Sequence, residues 1–294
     1  MSKTLFLTGT TGFVGKNLIS FFEEDYKINS FIRNGDLIVN EDIVIHLAGK
    51  AHDIKKTSNP EEYYVVNTEL TKKVFDAFIL SRSKVFITLS SVKAAADEVE
   101  GELNEAVIPN PITHYGKSKL LAENYILSRD IPAGKRVYIL RPCMIHGAGN
   151  KGNLNLLYKF VSKGIPWPLG AFDNKRSFCS IDNLLFILRE LIENESIPSG
   201  IYNLSDDEAI STNELISFIA DSKYRKPKIW KISKSWIIFM VKMGDFFRLP
   251  MNSERLQKLT ESYMVSNRKI KTAIGKPLPL SSKEGLLKTF NSFQ

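Results

Sequence analysis

Short apolar runs alternate with longer segments of helical periodicity through the first half of the chain. Five apolar runs predict strands, over Lys3–Thr8, Ile28–Ile32, Asp42–Ala48, Lys84–Leu89 and Arg136–Leu140. Apolar positions at helical spacing predict long helices between them, over about Phe13–Glu24, Glu61–Leu80 and Tyr115–Ser128. Strands that are apolar throughout and joined by helices are typical of a parallel sheet buried on both faces. The pattern therefore predicts an α/β fold, a doubly wound parallel sheet with right-handed crossovers.

The pattern changes after the glycine-rich loop Gly147–Gly152. Shorter helices are predicted there, over Leu154–Ser162, Asn183–Glu193, Asn213–Ala220 and Ser235–Phe247, with strand-like pieces at Gly200–Leu204 and Lys228–Ile232. Asp182 and Thr212 precede two of these helices and are good cap residues. We expect residues 1–150 to form the sheet domain and residues 151–294 to form a smaller mixed α/β lobe.

Composition and charge restrict the class of protein. Of the 294 residues, 43% are hydrophobic and 24% are charged, which are ordinary values for a globular chain. From Lys223 onward there are 16 Lys and Arg against 4 Asp and Glu, so the net charge of +8 comes from this basic part. A basic region fits nucleic acid, a membrane surface, an anionic small molecule or a plain solvated surface.

The sequence predicts a cytoplasmic protein. Cys143 and Cys179 have no zinc-like spacing, so reduced thiols are expected. The chain shows no signal peptide, and its apolar runs are too short to span a bilayer. The four histidines show no metal-binding spacing, so no metal is expected, and nucleic-acid binding is not favoured.

A glycine pattern follows the first predicted strand. Gly9, Gly12 and Gly15 stand in the spacing G-x-x-G-x-x-G, directly before an amphipathic helix. The first permits a tight turn, the second lets a pyrophosphate approach the helix N-terminus, and the third lets the helix pack closely on the sheet. This context predicts a bound dinucleotide, NAD or NADP. Arg33, near the end of the second strand, favours NADP, whereas Asp36 is placed to contact adenine or ribose.

Tyr115 and Lys119 lie four residues apart on a predicted helix, so they share one face of it. An ammonium beside a phenol lowers the pKa of the phenol, and the tyrosine then acts as a general base or acid on a sugar or alcohol hydroxyl. Lys119 is also placed to hold the nicotinamide ribose. Ser91, with Ser90 as the alternative, ends the fourth strand at the edge where ligands bind, and its hydroxyl is expected to orient the reacting oxygen.

Taken in order, these motifs resemble a known family. They are TGTTGFVG at 8–15, HLAGKAH at 46–52, Asn67, LSS at 89–91, YGKSK at 115–119 and LRP at 140–142. Over essentially its whole length the chain resembles the extended short-chain dehydrogenases/reductases, in the NAD-dependent epimerase/dehydratase group that acts on nucleotide sugars. The resemblance implies a Rossmann-type sheet with a nucleotide-sugar-binding lobe, and Ser91, Tyr115 and Lys119 as catalytic residues.

The resemblance also implies binding residues. Besides the three glycines, Tyr115 and Lys119, the cofactor would contact Thr11, Phe13, Val14, Leu37, Leu47, Ala48, Gly49, Asn67 and Pro142. Asn153 would contact the nucleotide sugar. Arg176 would grip its diphosphate, since arginine suits bidentate phosphate contacts. Arg255 is a candidate for a second phosphate contact and fits a surface arginine on a helix equally well.

Two departures from the family pattern bear on function. Only nine residues separate Arg33 from the strand at about Ile43, where the family usually fits a helix and another strand, so one strand–helix unit near residues 34–42 is expected to be cut short or absent. Val92 and Lys93 stand where dehydratases of the family carry an acidic pair. The second departure argues against dehydration.

The remaining chemistry is hydride transfer at a sugar carbon, and the same residues serve two reactions. The stretch that begins Pro168–Ala171 resembles the corresponding region of C4 epimerases, which favours an epimerase acting at C4 of a UDP-hexose or UDP-N-acetylhexosamine. Arg33 favours an NADP-dependent reductase of a nucleotide 4-keto-6-deoxy sugar in surface-polysaccharide synthesis. A non-catalytic NAD(P)-sensing protein is the alternative of another class, disfavoured because the catalytic residues are retained. The resemblance also fits a homodimer, and the apolar face of Val74, Phe75 and Phe78 suits either its interface or the core.

Overall fold

The computed structural model describes residues 3–31, 37–50, 59–150, 152–246 and 252–293. Its strands are β1 (Thr4–Thr8), β2 (Lys27–Ser30), β3 (Ile43–His46), β4 (Val85–Leu89), β5 (Glu102–Leu103), β6 (Arg136–Pro142), β7 (Met144–His146), β8 (Phe178–Ser180), β9 (Gly200–Leu204) and β10 (Met264–Val265). Its α-helices are α1 (Phe13–Phe22), α2 (Pro60–Tyr63), α3 (Leu70–Leu80), α4 (His114–Leu127), α5 (Asn153–Ser162), α6 (Ile181–Glu193), α7 (Thr212–Asp221), α8 (Lys234–Phe246), α9 (Ser253–Thr260), α10 (Arg268–Ile274) and α11 (Ser282–Asn291).

A six-stranded sheet forms the centre, in the order β2-β1-β3-β4-β6-β9, and every neighbouring pair is parallel. Side chains of each strand alternate between the two faces of the sheet. Leu5 and Leu7 pack in one cluster with α1 and α6, whereas Phe6 between them packs in another with α3. Burial on both faces explains why the strands are apolar throughout. The predicted doubly wound α/β fold is confirmed.

β2 is the edge strand on the β1 side of the sheet, and the connection from β2 to β3 is short. β1 lies between β2 and β3, and the described residues between Ser30 and Ile43 form neither helix nor strand. Leu37 is half-buried there and packs against the cluster on the α3 side of the sheet. Arg33 and Asp36, the two predicted contacts with adenosine, lie outside the described residues.

Residues after 150 contribute to both parts of the molecule. β9 pairs with β6, with Tyr138 opposite Gly200, and α6 packs on the same face of the sheet as α1. Gly200–Leu204 was expected in the smaller lobe, so this strand corrects that assignment. A division at residue 150 therefore does not separate the sheet from the lobe, which is built by α5, α7, α8, α9 and α11.

Two helix caps differ from the prediction. Ser180 caps α6 through its side chain, and Ser211 caps α7 in a reciprocal capping box with Glu214. Asp182 and Thr212 lie in the first turns instead, because both helices begin earlier than the apolar pattern indicates.

The structure also bears on the expected subunit interface, thiols, membrane span and metal site. Val74, Phe75 and Phe78 are fully buried in the core beneath the sheet, so they are not available to a subunit interface. Cys143 and Cys179 are both free. Among the described helices, none has the length and apolar character needed to cross a bilayer. Within the same residues, no cluster of three potential ligand side chains is arranged to hold a metal ion.

A buried ion pair joins α4 to the middle of the sheet. The side chains of Arg141 and Glu123 are each 2% exposed, with Nη2 2.5 Å from Oε2 and Nε 3.0 Å from Oε1. The hydroxyl of Ser90, just past β4, donates to the same carboxylate. Because a buried charge is costly without its partner, this pair constrains how α4 sits on β4 and β6.

Glu123→Gln is therefore expected to lower the free energy of unfolding by about 3–5 kcal/mol, since Arg141 keeps its charge and loses its counterion. Asp25→Asn is the matched control, because it removes the carboxylate of a solvent-accessible ion pair, in which Asp25 lies 2.7 Å from Arg189. That loss is expected to stay below about 1 kcal/mol. Urea unfolding of both variants measures the difference, and equal losses would contradict the assignment.

Candidate active site

The carboxyl ends of β1, β3, β4 and β6 meet at one edge of the sheet, where parallel α/β folds bind ligands. A cavity of about 230 Å³ opens beside this edge. Six of the residues predicted for the site line it, namely Leu47, Gly49, Ser91, Tyr115, Lys119 and Pro142. The fold thus brings the predicted catalytic residues and part of the predicted cofactor contacts into one space.

The close packing of α4 on the end of β4 places Tyr115 beside Ser91. A Cβ atom at Gly116 would lie 2.4 Å from the carbonyl oxygen of Lys93, so only glycine allows the first turn of α4 to sit this close. Thr113 caps the helix by accepting from the amide of Gly116 at 3.2 Å. The Ser91 hydroxyl and the Tyr115 phenol form a hydrogen bond as a result.

Burial sets the protonation of the Tyr115–Lys119 pair. It raises the pKa of Tyr115, and the hydrogen bond with Ser91 opposes that rise. Burial also lowers the pKa of Lys119 to about 8, opposed by the charge of Glu123. The ammonium of Lys119 donates to the carbonyl oxygen of Leu89 at 2.8 Å. The expectation that Lys119 lowers the pKa of Tyr115 is not met in this structure, because the ammonium is engaged with the end of β4.

Asn67 holds the loop after β3 from behind. It is fully buried in a π-helical turn, Tyr64–Glu69, that interrupts the predicted helix. Its amide nitrogen donates to the carbonyl oxygen of Lys50 at 3.1 Å, and its amide oxygen accepts from the Lys50 amide at 2.7 Å. A second bond from the nitrogen reaches the hydroxyl of Ser118 at 3.0 Å. Asn67 therefore fixes the loop that carries Gly49, and it does not itself line the cavity.

A buried network fixes the same loop from the sheet side. His46 Nε2 lies 2.9 Å from the hydroxyl of Thr71, which donates to the carbonyl oxygen of Asn67. Thr71 must then accept from His46, so Nδ1 is unprotonated and accepts from Thr8 at 2.8 Å. Thr8 in turn accepts from the amide of Ala48 at 3.1 Å. Burial lowers the pKa of His46 to about 3, so this histidine is a neutral structural residue.

The glycine loop forms a cradle without side chains. Gly9 has φ +76°, and a Cβ atom there would lie 2.6 Å from the amide nitrogen of Ala48. A Cβ atom at Gly15 would lie 2.2 Å from the carbonyl oxygen of Gly9. No side chain caps the N-terminus of α1 after Gly12, and Thr11 beside it is exposed. Bare backbone at a helix N-terminus fits the pyrophosphate of a dinucleotide.

Phe13 and Val14 begin α1 and are half-buried, and both pack against the core cluster on that face of the sheet. A contact between these two residues and a dinucleotide therefore stays a prediction.

The predicted substrate residues lie farther out on the lobe. Arg176 donates to the carbonyl oxygens of Lys258 and Glu261 at the end of α9, and it pairs with the Glu261 carboxylate at 3.1 Å. Arg255 is exposed on α9, and Asn153 is exposed at the start of α5. None of the three predicted residues lines the cavity that holds Tyr115.

The comparisons with known proteins agree with this geometry. The model of the NAD dependent epimerase/dehydratase family matches residues 5–205. A UDP-glucose 4-epimerase of Vibrio cholerae is 31% identical and covers all of this chain and 96% of its own. The chain belongs to the NAD-dependent epimerase/dehydratase family.

Two further relatives of the family extend the comparison. An N-acetyl-α-D-glucosaminyl-diphospho-ditrans,octacis-undecaprenol 4-epimerase of Escherichia coli O157:H7 is 27% identical over 77% of this chain and 74% of its own. The crystal structure of a Bacillus cereus UDP-glucuronic acid 4-epimerase in complex with NAD superimposes with a TM-score of 0.77, at 18% identity over 99% of this chain and 98% of that chain. The predicted extended short-chain dehydrogenase/reductase membership is confirmed, and so is the prediction of an enzyme of the epimerase and reductase kind.

Sequence reasoning missed several residues of this family member's site. Lys50, Cys143 and Ile145 line the cavity. Lys50 lies within the motif HLAGKAH, but no role was predicted for it. Glu123 lies four residues after Lys119, so both side chains lie on the same face of α4. This spacing could have predicted that Glu123 acts on Lys119. Cys143 and Ile145 gave no such signal, because they follow the point where β6 passes into β7.

Gly15→Ala is expected to weaken binding of NAD by more than about tenfold, because the added methyl group collides with the backbone of the cradle. Calorimetric titration with the dinucleotide measures the change. Gly152→Ala is the control, since its Cβ atom would meet nothing closer than the Asn150 side chain at 3.8 Å. Unaltered affinity in Gly15→Ala would exclude the loop as the dinucleotide site.

Proposed function

We propose that this protein is an epimerase that inverts C4 of a UDP-hexose or UDP-N-acetylhexosamine through a transient 4-keto sugar, with a dinucleotide retained in the site. The observation that carries the proposal is the hydrogen-bonded pair of Ser91 and Tyr115 in one cavity with Lys119 and the glycine-loop edge of the sheet. The full-length similarity to a UDP-glucose 4-epimerase supports C4 of a UDP-sugar as the reacting centre.

Tyr115 takes the proton from the sugar hydroxyl at C4 and returns it to the 4-keto oxygen after the ring has turned. Ser91 is hydrogen-bonded to the phenol and orients the sugar oxygen at the same time. Because burial raises the pKa of Tyr115 in the free protein, phenolate formation requires positive charge to arrive with the ligands. Lys119 supplies part of that charge when its ammonium turns from Leu89 to the phenol and the ribose.

NAD is the cofactor that the site fits, held by Gly9, Gly12, Gly15 and the loop at Leu47–Gly49. When bound, its nicotinamide would supply the acceptor for the hydride of C4 and the store from which that hydride returns. Pro142 and Ile145 line the same cavity, and their apolar surfaces exclude water from the keto sugar.

The surroundings of Ser91 support hydride chemistry over dehydration. Val92 is buried in a small apolar cluster, and Lys93 donates to the carbonyl oxygen of Asp97 at 2.6 Å while lying over the ring of Tyr263. Neither side chain is an acid able to drive loss of water from a keto sugar. The backbone of Arg176 bridges to Tyr263, and the Lys93 ammonium lies over the ring of Tyr263, so Arg176 lies near the turn that follows Ser91. This placement supports Arg176 as the group that binds the sugar diphosphate.

The proposal includes a homodimer in the cytoplasm. Since the apolar residues in the middle of α3 belong to the core, a dimer through α3 and α4 would use their outer faces. Leu121 of α4 is 47% exposed, and Val65, in the π-helical turn just before α3, is 54% exposed.

Incubation of the purified protein with a UDP-hexose, without added dinucleotide, tests the proposal. The account expects both C4 isomers at equilibrium, resolved by proton NMR, with no net NADH released. Stoichiometric use of NADPH with a 4-keto nucleotide sugar, and no interconversion, would establish a reductase instead.

Tyr115→Phe in the same assay is expected to lower turnover about 10²–10⁴-fold while dinucleotide affinity stays the same, because only the proton-transferring oxygen is lost. Tyr125→Phe is the matched control on the same helix, where the hydroxyl contacts Asp76 at 2.7 Å far from the cavity. Near-normal turnover in Tyr115→Phe would rule out the assigned acid–base role.

The pH dependence should report Lys119. Its pKa is lowered by burial to about 8, so the ammonium is present below pH 8 and is lost as the pH rises through that value. Since the ammonium is the active form, kcat/KM is expected to fall above about pH 8. Lys119→Arg stays charged across this range, so its residual activity should lack the alkaline limb. If kcat/KM of Lys119→Arg still falls above about pH 8, the titrating group is not Lys119.

A further inference from the structure

Helix α8 has two apolar faces. Ile237, Val241 and Gly244 form a buried stripe at helical spacing and anchor the helix to the lobe. A second set follows the i, i+3, i+4, i+7 spacing and faces solvent at exposed fractions of 65%, 58%, 63% and 42%, namely Trp236, Phe239, Met240 and Met243. The buried stripe already provides the packing that folds the helix. The exposed face is therefore surplus to the fold, and exposed apolar faces of this kind mark interaction surfaces.

The chain that leads into α8 is uniformly basic. Residues 222–244 contain seven Lys and Arg and no Asp or Glu. In the described part of the chain none of the seven forms a salt bridge. The backbone of Lys228 and Trp230 is hydrogen-bonded to Trp167 at 2.8 Å, and Trp167 belongs to the cluster that anchors α8. The basic segment and the helix therefore sit against the same part of the lobe.

A cavity of about 400 Å³ opens within this basic segment. Ile216 and Ile219 contribute apolar lining, and its basic lining residues are Lys223, Arg225, Lys226 and Lys228. Ser162 also lines it, and among the described residues its buried hydroxyl has no hydrogen-bond partner. An apolar cavity with cationic groups around it suits an amphiphile that carries a negative headgroup.

We propose that α8 and the basic segment 223–234 bind the surface of an anionic lipid membrane. An amphipathic helix lies in the interfacial plane when aromatic and apolar side chains enter the acyl boundary and lysines remain at the headgroups. Both features are present, since Trp236 and Phe239 lie beside each other on the exposed face and Lys231, Lys234 and Lys242 flank it. At 13 residues, α8 is too short to cross a bilayer but long enough to lie on one.

Charge favours a membrane over a second copy of this chain. A two-fold contact through the face would bring the same seven cations of each copy together, which like-charge repulsion opposes. An anionic bilayer neutralises them, and each lysine or arginine near such a surface adds to the attraction. Nucleic acid would also neutralise the charge but would leave the two methionines of the exposed face unused.

Flotation of the full-length protein with lipid vesicles tests the proposal. The probes are vesicles of phosphatidylcholine alone and of phosphatidylcholine with phosphatidylglycerol. We expect flotation with the anionic vesicles, little with the neutral ones, and loss of binding at high salt. Brominated acyl chains should quench the exposed Trp230 and Trp236 but leave buried Trp167 unquenched. Absence of flotation, or equal flotation with both vesicles, overturns the proposal.

Two variants assign the binding to its parts. Phe239→Glu together with Met243→Glu, and separately Lys226→Glu together with Lys228→Glu, should each lower partitioning roughly tenfold or more. Leu80→Glu is the matched control, an apolar residue that is 88% exposed on another helix. All the substituted positions are exposed, so the two variants should lose vesicle binding while their melting temperatures stay at the wild-type value. Wild-type binding in the first variant, or a dimer that this variant dissociates without any vesicle binding, contradicts the assignment.

Discussion

One hydrogen bond, from the ammonium of Lys119 to the carbonyl oxygen of Leu89, ties the helix that carries the acid–base tyrosine to the strand that ends at Ser91. Lys119 is only 8% exposed, so its ammonium has lost most of its hydration and a carbonyl oxygen at the end of β4 replaces part of it. Behind it, the buried pair of Glu123 and Arg141 repeats the connection one helical turn on. Burial of both side chains at this strand edge raises the pKa of Tyr115 and lowers that of Lys119, and the chemistry depends on both values.

Local patterns were sufficient to predict much of this arrangement. The glycine spacing after an apolar strand, and a tyrosine and lysine four residues apart, report short-range geometry. The structure places Gly9 against Leu47 and Ala48 and places Tyr115 and Lys119 in the cavity that Leu47 also lines. Contacts between distant parts of the chain were not predictable in the same way. β9 joins the sheet from within the second half, since an isolated apolar run does not specify which sheet it joins. The direction of the pKa change at Tyr115 was missed because it depends on burial, which spacing alone does not report.

The second half of the chain divides into surfaces of different character. Arg176 is held by Glu261 at the C-terminal end of α9, and under the proposed function a sugar diphosphate would replace this carboxylate as its anionic partner. On the neighbouring helix α8, aromatic and apolar side chains face solvent beside the lysines and arginines of the basic segment. Leu256 of α9 packs in the cluster that anchors α8, and this connects the two surfaces mechanically. The excess of positive charge, which had no evident role in the sequence, is concentrated in the segment leading to α8.

The central claim is that one site removes a hydride from C4 of the sugar and returns it to the same carbon. A UDP-hexose carrying deuterium at C4 tests this claim most directly, with the product examined by NMR and mass spectrometry. The account predicts that the epimerised sugar keeps its deuterium at C4, because the hydride never leaves the site. Loss of the label to solvent, or its appearance in released NADH or NADPH, would contradict the account.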